Sequence, residues 1–91
     1  MARVFIPIPL RRYTGGQAET QVPGRTVGEL VDNLERRFPG IRENLVADDD
    51  LVPGLAVVVD GEATVEGLLQ RLSEDAEVHF LPAISGGRED C

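Results

Sequence analysis

The apolar positions of the chain change period several times, and each period predicts a different element. Val4 to Leu10 is β-branched and aromatic in character and reads as a strand. Pro7 and Pro9 fall on one alternating face of it. Proline has no N–H to give a central ladder, so this strand is irregular or has a free edge near its end. Thr14-Gly15-Gly16-Gln17 signals a turn, after which Ala18 to Val22 can run back as the second arm of a hairpin closed by Pro23-Gly24. The period then becomes helical. Val27, Leu30, Val31, Leu34 and Phe38 form one apolar stripe, with Glu29, Asp32, Asn33, Glu35 and Arg36 towards water. Thr26-x-x-Glu29 is a capping box at its start, and Pro39-Gly40 stops it. This stripe is expected to pack on a sheet and to do no chemistry.

The second half is less regular. Ile41 to Leu45 reads as a short helical turn, and Asp48-Asp49-Asp50 as a solvated loop without the ligand spacing of an EF-hand. Leu55 to Val59 is a continuous apolar run, expected to be a central strand buried on both faces. Asp60-Gly61 marks a turn, and Leu68, Leu69 and Leu72 another short helical turn. Glu77 to Ile84 is the last strand, with Val78 and Phe80 on one face and His79 and Leu81 on the other. Hairpin, helix, strand, short connection and strand make an α+β fold, a mixed sheet with one main helix on one face. The two terminal strands can lie side by side in its middle.

Composition narrows the function. Ninety-one residues fit one domain, which at this size buries only about 60% of its unfolded surface. The net charge of −7 argues against nucleic acid, whose phosphates need clustered Lys and Arg. No apolar run approaches the ~20 residues of a membrane span, and the N-terminal apolar stretch is too short for a secretory signal. The single cysteine, Cys91, cannot make an internal disulfide, which agrees with a cytoplasmic location.

Catalytic constellations are scarce. His79 is the one histidine, without cysteine or a second histidine at metal spacing, and is expected to be structural. Ser85-Gly86-Gly87 lacks the flanks of a nucleophile elbow, and Gly15-Gly16 lacks the spacing of a phosphate loop. The chain therefore reads as a non-enzyme that binds no cofactor or metal. Gly86-Gly87 after an apolar strand remains. Lacking Cβ atoms, such a neck can enter a narrow cleft and bring a terminal carbonyl close to another protein's site.

The segment from Val78 to Gly87, Val-His-Phe-Leu-Pro-Ala-Ile-Ser-Gly-Gly, resembles the C-terminus of the MoaD/ThiS family of ubiquitin-like sulfur carriers. Ile8 to Gln17, the Thr26 helix and Phe38-Pro39-Gly40-Ile41 resemble its CysO-type branch, the carriers of actinobacterial cysteine biosynthesis. The resemblance spans residues 1–87, the expected carrier domain, and implies a β-grasp fold. It implies that a ubiquitin-activating-type enzyme uses ATP to adenylate the carboxylate of Gly87, and that sulfur from a donor protein replaces AMP to leave a thiocarboxylate. A sulfur-accepting synthase, in the CysO branch a pyridoxal-phosphate enzyme, would receive it. Carried over by position, Gly87 bears the sulfur, Gly86 and Ser85 form the neck, and Leu81, Pro82 and Ile84 dock the partners.

Two features depart from the family. The acidic turn Ser73-Glu74-Asp75-Ala76-Glu77 lacks the usual glycine, so Asp75 is expected to take the left-handed conformation. Residues 88–91 follow Gly87, where relatives stop. While Gly87 is joined to Arg88 its carbonyl is an amide and cannot be adenylated. The extension therefore reads as a segment cut between Gly87 and Arg88, as some relatives made as precursors are trimmed by a JAMM-type metalloprotease. A ubiquitin-like modifier attached to target lysines through Gly87, or a small subunit of molybdopterin synthase, would look much the same. All nine basic residues are arginine. An Arg-biased genome explains this, and a carrier with an activated terminus also benefits from having no side-chain amine to acylate.

Overall fold

The computed structural model describes residues 1–82. Five strands form one mixed sheet in the order β2-β1-β7-β5-β6: β1 is Ala2–Phe5, β2 Glu19–Val22, β5 Leu55–Val59, β6 Glu62–Ala63 and β7 Glu77–Pro82. A helix, α1 (Val27–Arg37), packs on one face, and a separate two-stranded ribbon joins β3 (Val46–Ala47) to β4 (Asp50–Leu51). This is the expected β-grasp arrangement. The terminal strands lie together at its centre: β1 and β7 are parallel, with Val4 opposite Val78, and β5 runs antiparallel to β7 on its other side.

The core lies between the sheet and α1. Val4 and Val78 from the central strands, Phe80, Val57, and Val27, Leu30, Val31 and Leu34 from the helix are all sealed from solvent. Phe38, the last residue of the apolar stripe, is only partly buried. Thr26 caps α1 as the sequence predicts, its hydroxyl accepting the Glu29 amide at 3.2 Å. The carboxylate of Glu29 accepts instead the N–H of Arg25, one residue earlier than in a capping box, at 3.0 Å. Thr26 also forms a β-bridge with Arg71, made by its neighbours: Val27 N–H donates to Gln70 O at 2.9 Å and Leu72 N–H to Arg25 O at 2.8 Å. At the other end, Gly40 has φ +99°, with the Tyr13 ring close to where a Cβ would lie. Glu35 ties this turn back to the helix, its two oxygens accepting the amides of Gly40 and Arg42 at 2.9 Å each. These two backbone bonds, reinforced by the Arg42 charge, lower its carboxyl below the ordinary range.

Several expectations are corrected. The first strand does not run from Val4 to Leu10 but ends at Phe5, and Ile8–Tyr13 is a 3-10 helix. Pro7, at φ −60°, caps it, and Pro9 occupies its first turn, where an N–H has no acceptor to lose. The prolines thus turn the chain off the sheet instead of marking its edge. The acidic loop is a tight hairpin turn between β3 and β4, with Asp48 and Asp49 at φ 54° and 63°. A two-residue connection of this hand requires positive φ at both central positions, which Asp tolerates. The run Leu55–Val59 is not buried on both faces. Val57 and Val59 point into the core, while Ala56 and Val58 lie on the open face, because α1 covers only one side. The central position belongs to β7. Asp75 does not take the left-handed conformation; Ala76 N–H closes its turn on Ser73 O at 3.2 Å. That conformation occurs one turn away in space, at Asp60 (φ 50°) and Gly61 (φ 86°), between β5 and β6. Among the described residues no helix is long and apolar enough to cross a membrane.

Candidate functional site

Two features of the sequence converge at one end of the sheet. β1 and β7 run parallel and in register, Phe5 opposite His79, so their C-terminal ends arrive side by side. There β1 stops. Pro7 sends the chain into the 3-10 helix and takes it away from the sheet, while β7 continues, Leu81 pairing with Ala56 and Pro82 with Leu55 of β5. The departure of one neighbour leaves an open groove of about 470 Å³ beside the last turns of β7, lined by Phe5, Ile8, Pro9, Arg11, His79 and Leu81 among others. Its walls are mostly apolar. Ile8 is 74% exposed and Leu81 48%; Met1, Val65 and Leu69, away from the groove, are the other large apolar side chains exposed among the described residues.

Arg11 is held at the groove by its Nε–H, which donates to Ile6 O at 3.0 Å. The floor is aromatic. The His79 ring stacks on Phe5 with centroids 4.2 Å apart and planes 2° from parallel. Beyond them a row of charges crosses the sheet. Arg3 is paired with Glu77 and lies 3.6 Å from Glu19, and His79 Nε2 is 3.7 Å from Glu77. His79 is thus a half-exposed ring held by a stack and a carboxylate. Among the described residues no three His, Cys, Asp or Glu side chains gather as a metal site.

Of the residues singled out in the sequence, Leu81 and the backbone of Pro82 lie at the end of β7, beside the groove. Ile84, Ser85, Gly86, Gly87 and Arg88 lie outside the described residues. Phe5, Ile8 and Arg11 were not anticipated as part of this surface. The signal for them is Ile6-Pro7-Ile8-Pro9, where two prolines interrupt a strand and strand the intervening isoleucine on the surface.

Known proteins share this architecture. The Sulfur carrier protein CysO of Mycobacterium tuberculosis is 34% identical over 91 residues, covering 92% of this chain and 96% of that protein. The Molybdopterin synthase sulfur carrier subunit of Emericella nidulans is 33% identical over 79 residues, 82% of this chain and 85% of its own. The crystal structure of the Amycolatopsis orientalis BexX/CysO complex contains a chain that superposes with a TM-score of 0.89 at 34% identity, covering 96% of this chain and all of that one. The ThiS family model matches residues 4–87, from the first strand through the Gly-Gly pair. Sequence, element order and superposition agree, and the chain belongs to the ThiS family.

Proposed function

We propose that this protein is a sulfur carrier that holds sulfur as a thiocarboxylate on Gly87, formed after residues 88–91 are removed. The observation that carries the reading is that the family match runs to Gly87 and no further, on a strand that leads out from the centre of the sheet. The relatives called sulfur carriers, at 33–34% identity over most of their length, support it.

Cleavage of the Gly87–Arg88 amide by a JAMM-type metalloprotease frees the carboxylate. A ubiquitin-activating-type enzyme lets that carboxylate attack the α-phosphate of ATP, expelling pyrophosphate and leaving an acyl-adenylate. Sulfur delivered by a donor protein at the sulfide level, as HS⁻, attacks the acyl carbon, the C–O bond to AMP breaks, AMP leaves, and a thiocarboxylate remains. It is ionised near neutral pH and can attack an electrophile held on a synthase. For a CysO-type pathway the synthase would be a pyridoxal-phosphate enzyme; the new C–S bond leaves the acceptor joined to Gly87, and hydrolysis of the acyl–sulfur bond then frees cysteine or another thio-metabolite and restores the Gly87 carboxylate. The complex of a relative with a second protein, BexX, supports a surface that docks partners. Here that surface would be Leu81, Pro82 and Ile84 with the groove beside them. Ser85 and Gly86 would be the neck that enters the partner's cleft. The carrier's own residues position and present; the bond-making groups belong to the enzymes it visits, in the cytoplasm.

Intact-mass measurement of the protein recovered from its native host tests this. The expected species ends at Gly87 and shows the mass gain of one oxygen-to-sulfur exchange. Finding only chains that retain Arg88 overturns the reading. Isopeptide-linked Gly-Gly remnants on other proteins would instead establish a protein modifier, and co-purification with a molybdopterin synthase large subunit would move the sulfur to that pathway.

A further inference from the structure

We propose that the groove beside β7 receives an acidic segment of a partner protein: an aspartate or glutamate pairs with Arg11 while a neighbouring apolar side chain seats between Ile8 and Leu81. The inference rests on the reading that partners dock at this end of the sheet, and it names the chemistry of the surface they bring.

The first ground is the distribution of acid. The chain carries 16 acidic residues and a net charge of −7. Three other hollows of its surface are each edged by carboxylates: Asp50 and Glu66 in one, Asp60 and Glu62 in another, Glu74 in the third. Among the described residues no acid lines the groove, and its charged lining is Arg11. The sequence accounts for this, because residues 5–18 and 79–81, from which the lining comes, contain no Asp or Glu except at the β2 edge that follows them. His79, the other titratable residue of the lining, already lies 3.7 Å from Glu77, and Glu77 and Glu19 are both drawn to Arg3. The site therefore offers a partner one guanidinium in an apolar frame, on a protein that is acidic elsewhere.

The second ground is how Arg11 is held. Its Nε–H donates to Ile6 O at 3.0 Å, which fixes the plane of the guanidinium, and no carboxylate of the described residues lies within ion-pair distance of it. The two terminal nitrogens are left for an end-on pair with an incoming carboxylate. A side chain already tethered loses little freedom when it binds. Ile8 and Leu81 are exposed, and an apolar side chain laid between them would exclude water around that pair, the arrangement in which an interfacial arginine contributes most. A basic surface would instead meet an uncompensated like charge, which is costly where water is excluded.

Three peptides, N-acetylated and C-amidated, stand in for the partner segment: Leu-Asp-Leu-Val, and the same sequence with Asn or Lys in place of Asp. Each is titrated into the full 91-residue chain, isotope-labelled for NMR, and the backbone amides and the Arg11 Nε–H are followed. The Asp peptide is expected to give saturable shifts at Phe5, Ile8, Arg11, His79 and Leu81. It is expected to bind at least about threefold more tightly than the Asn peptide, with the Lys peptide weakest. Arg11→Gln is expected to bring the Asp and Asn peptides to equal affinity. Arg12→Gln, which removes a neighbouring charge that lies over the Tyr13 ring, is expected to keep the preference. The comparison of peptides on wild type decides the matter even where a variant folds poorly. Equal affinity for the Asp and Lys peptides overturns the proposal, as does the absence of saturable shifts at the groove. Shifts at the same residues that follow protein concentration alone assign the groove to a second copy of the chain and overturn it too. No step of the titration uses the chemistry of the C-terminus, so its failure is distinct from that of the carrier reading, which the mass measurement above decides.

Discussion

The ring of His79 lies flat on the ring of Phe5, 4.2 Å away, and joins the two parallel terminal strands on the face of the sheet that α1 leaves open. The pair sits directly below Leu81 and forms the floor of the groove by which the last strand leaves the domain. It joins the first strand of the chain to the last, so a contact of purely structural origin also shapes the surface a partner would meet.

A double-mutant cycle on Phe5→Ala and His79→Ala is expected to show a favourable coupling of about 0.5–1.5 kcal/mol, the range for stacked rings beyond their buried area. Urea unfolding of the four proteins measures it. Additive single effects would mean that the two rings are merely neighbours.

Leu81→Glu is expected to keep stability within about 1 kcal/mol of wild type, since the side chain is half exposed and faces Ala56 on the open face. With the activating enzyme, the same substitution is expected to lower the rate of Gly87 thiocarboxylate formation, because it puts a charge on the apolar wall of the groove. Thermal denaturation and a timed mass assay read the two effects separately. Unchanged thiocarboxylate formation would remove Leu81 from the docking surface.

Glu35 predicts a pH effect. The folded state lowers its carboxyl by the bonds to the Gly40 and Arg42 amides, so the charged form is favoured on folding. Its contribution is present above the unfolded carboxylate range and is lost as pH falls through the lower folded value. Glu35→Gln is therefore expected to be less stable than wild type at neutral pH and to approach it in acid. Unfolding curves at several pH values test this, and a difference that stays constant into acid would show that the charge plays no part.

Thr26→Ala removes the hydroxyl that caps the Glu29 amide and is expected to cost about 1 kcal/mol, within the usual range for a lost helix cap. Leu34→Ala, at a fully buried position of the stripe, is expected to cost about 2–5 kcal/mol. For a domain of this size that is a large share of the total. Denaturant midpoints rank the two, and Leu34→Ala should unfold at clearly lower urea.

The sequence by itself determined the elements whose signals are local. Thr26, the spacing from Val27 to Leu34, and Pro39-Gly40 mark α1 because capping and amphipathic period act within a few residues. Asp60-Gly61 and the alternation of Val78, His79, Phe80 and Leu81 are legible for the same reason. Tertiary structure decided what depends on neighbours distant in the chain. Whether Leu55–Val59 is buried on one face or two depends on which side α1 covers. Pro7 and Pro9 turn the chain off the sheet locally, but that this departure opens a groove depends on β7 continuing beside it to Pro82. The groove itself belongs to no single segment. It exists because two strands from opposite ends of the chain run parallel and only one of them stops, a pairing that costs loop entropy across the whole domain and that no local pattern records.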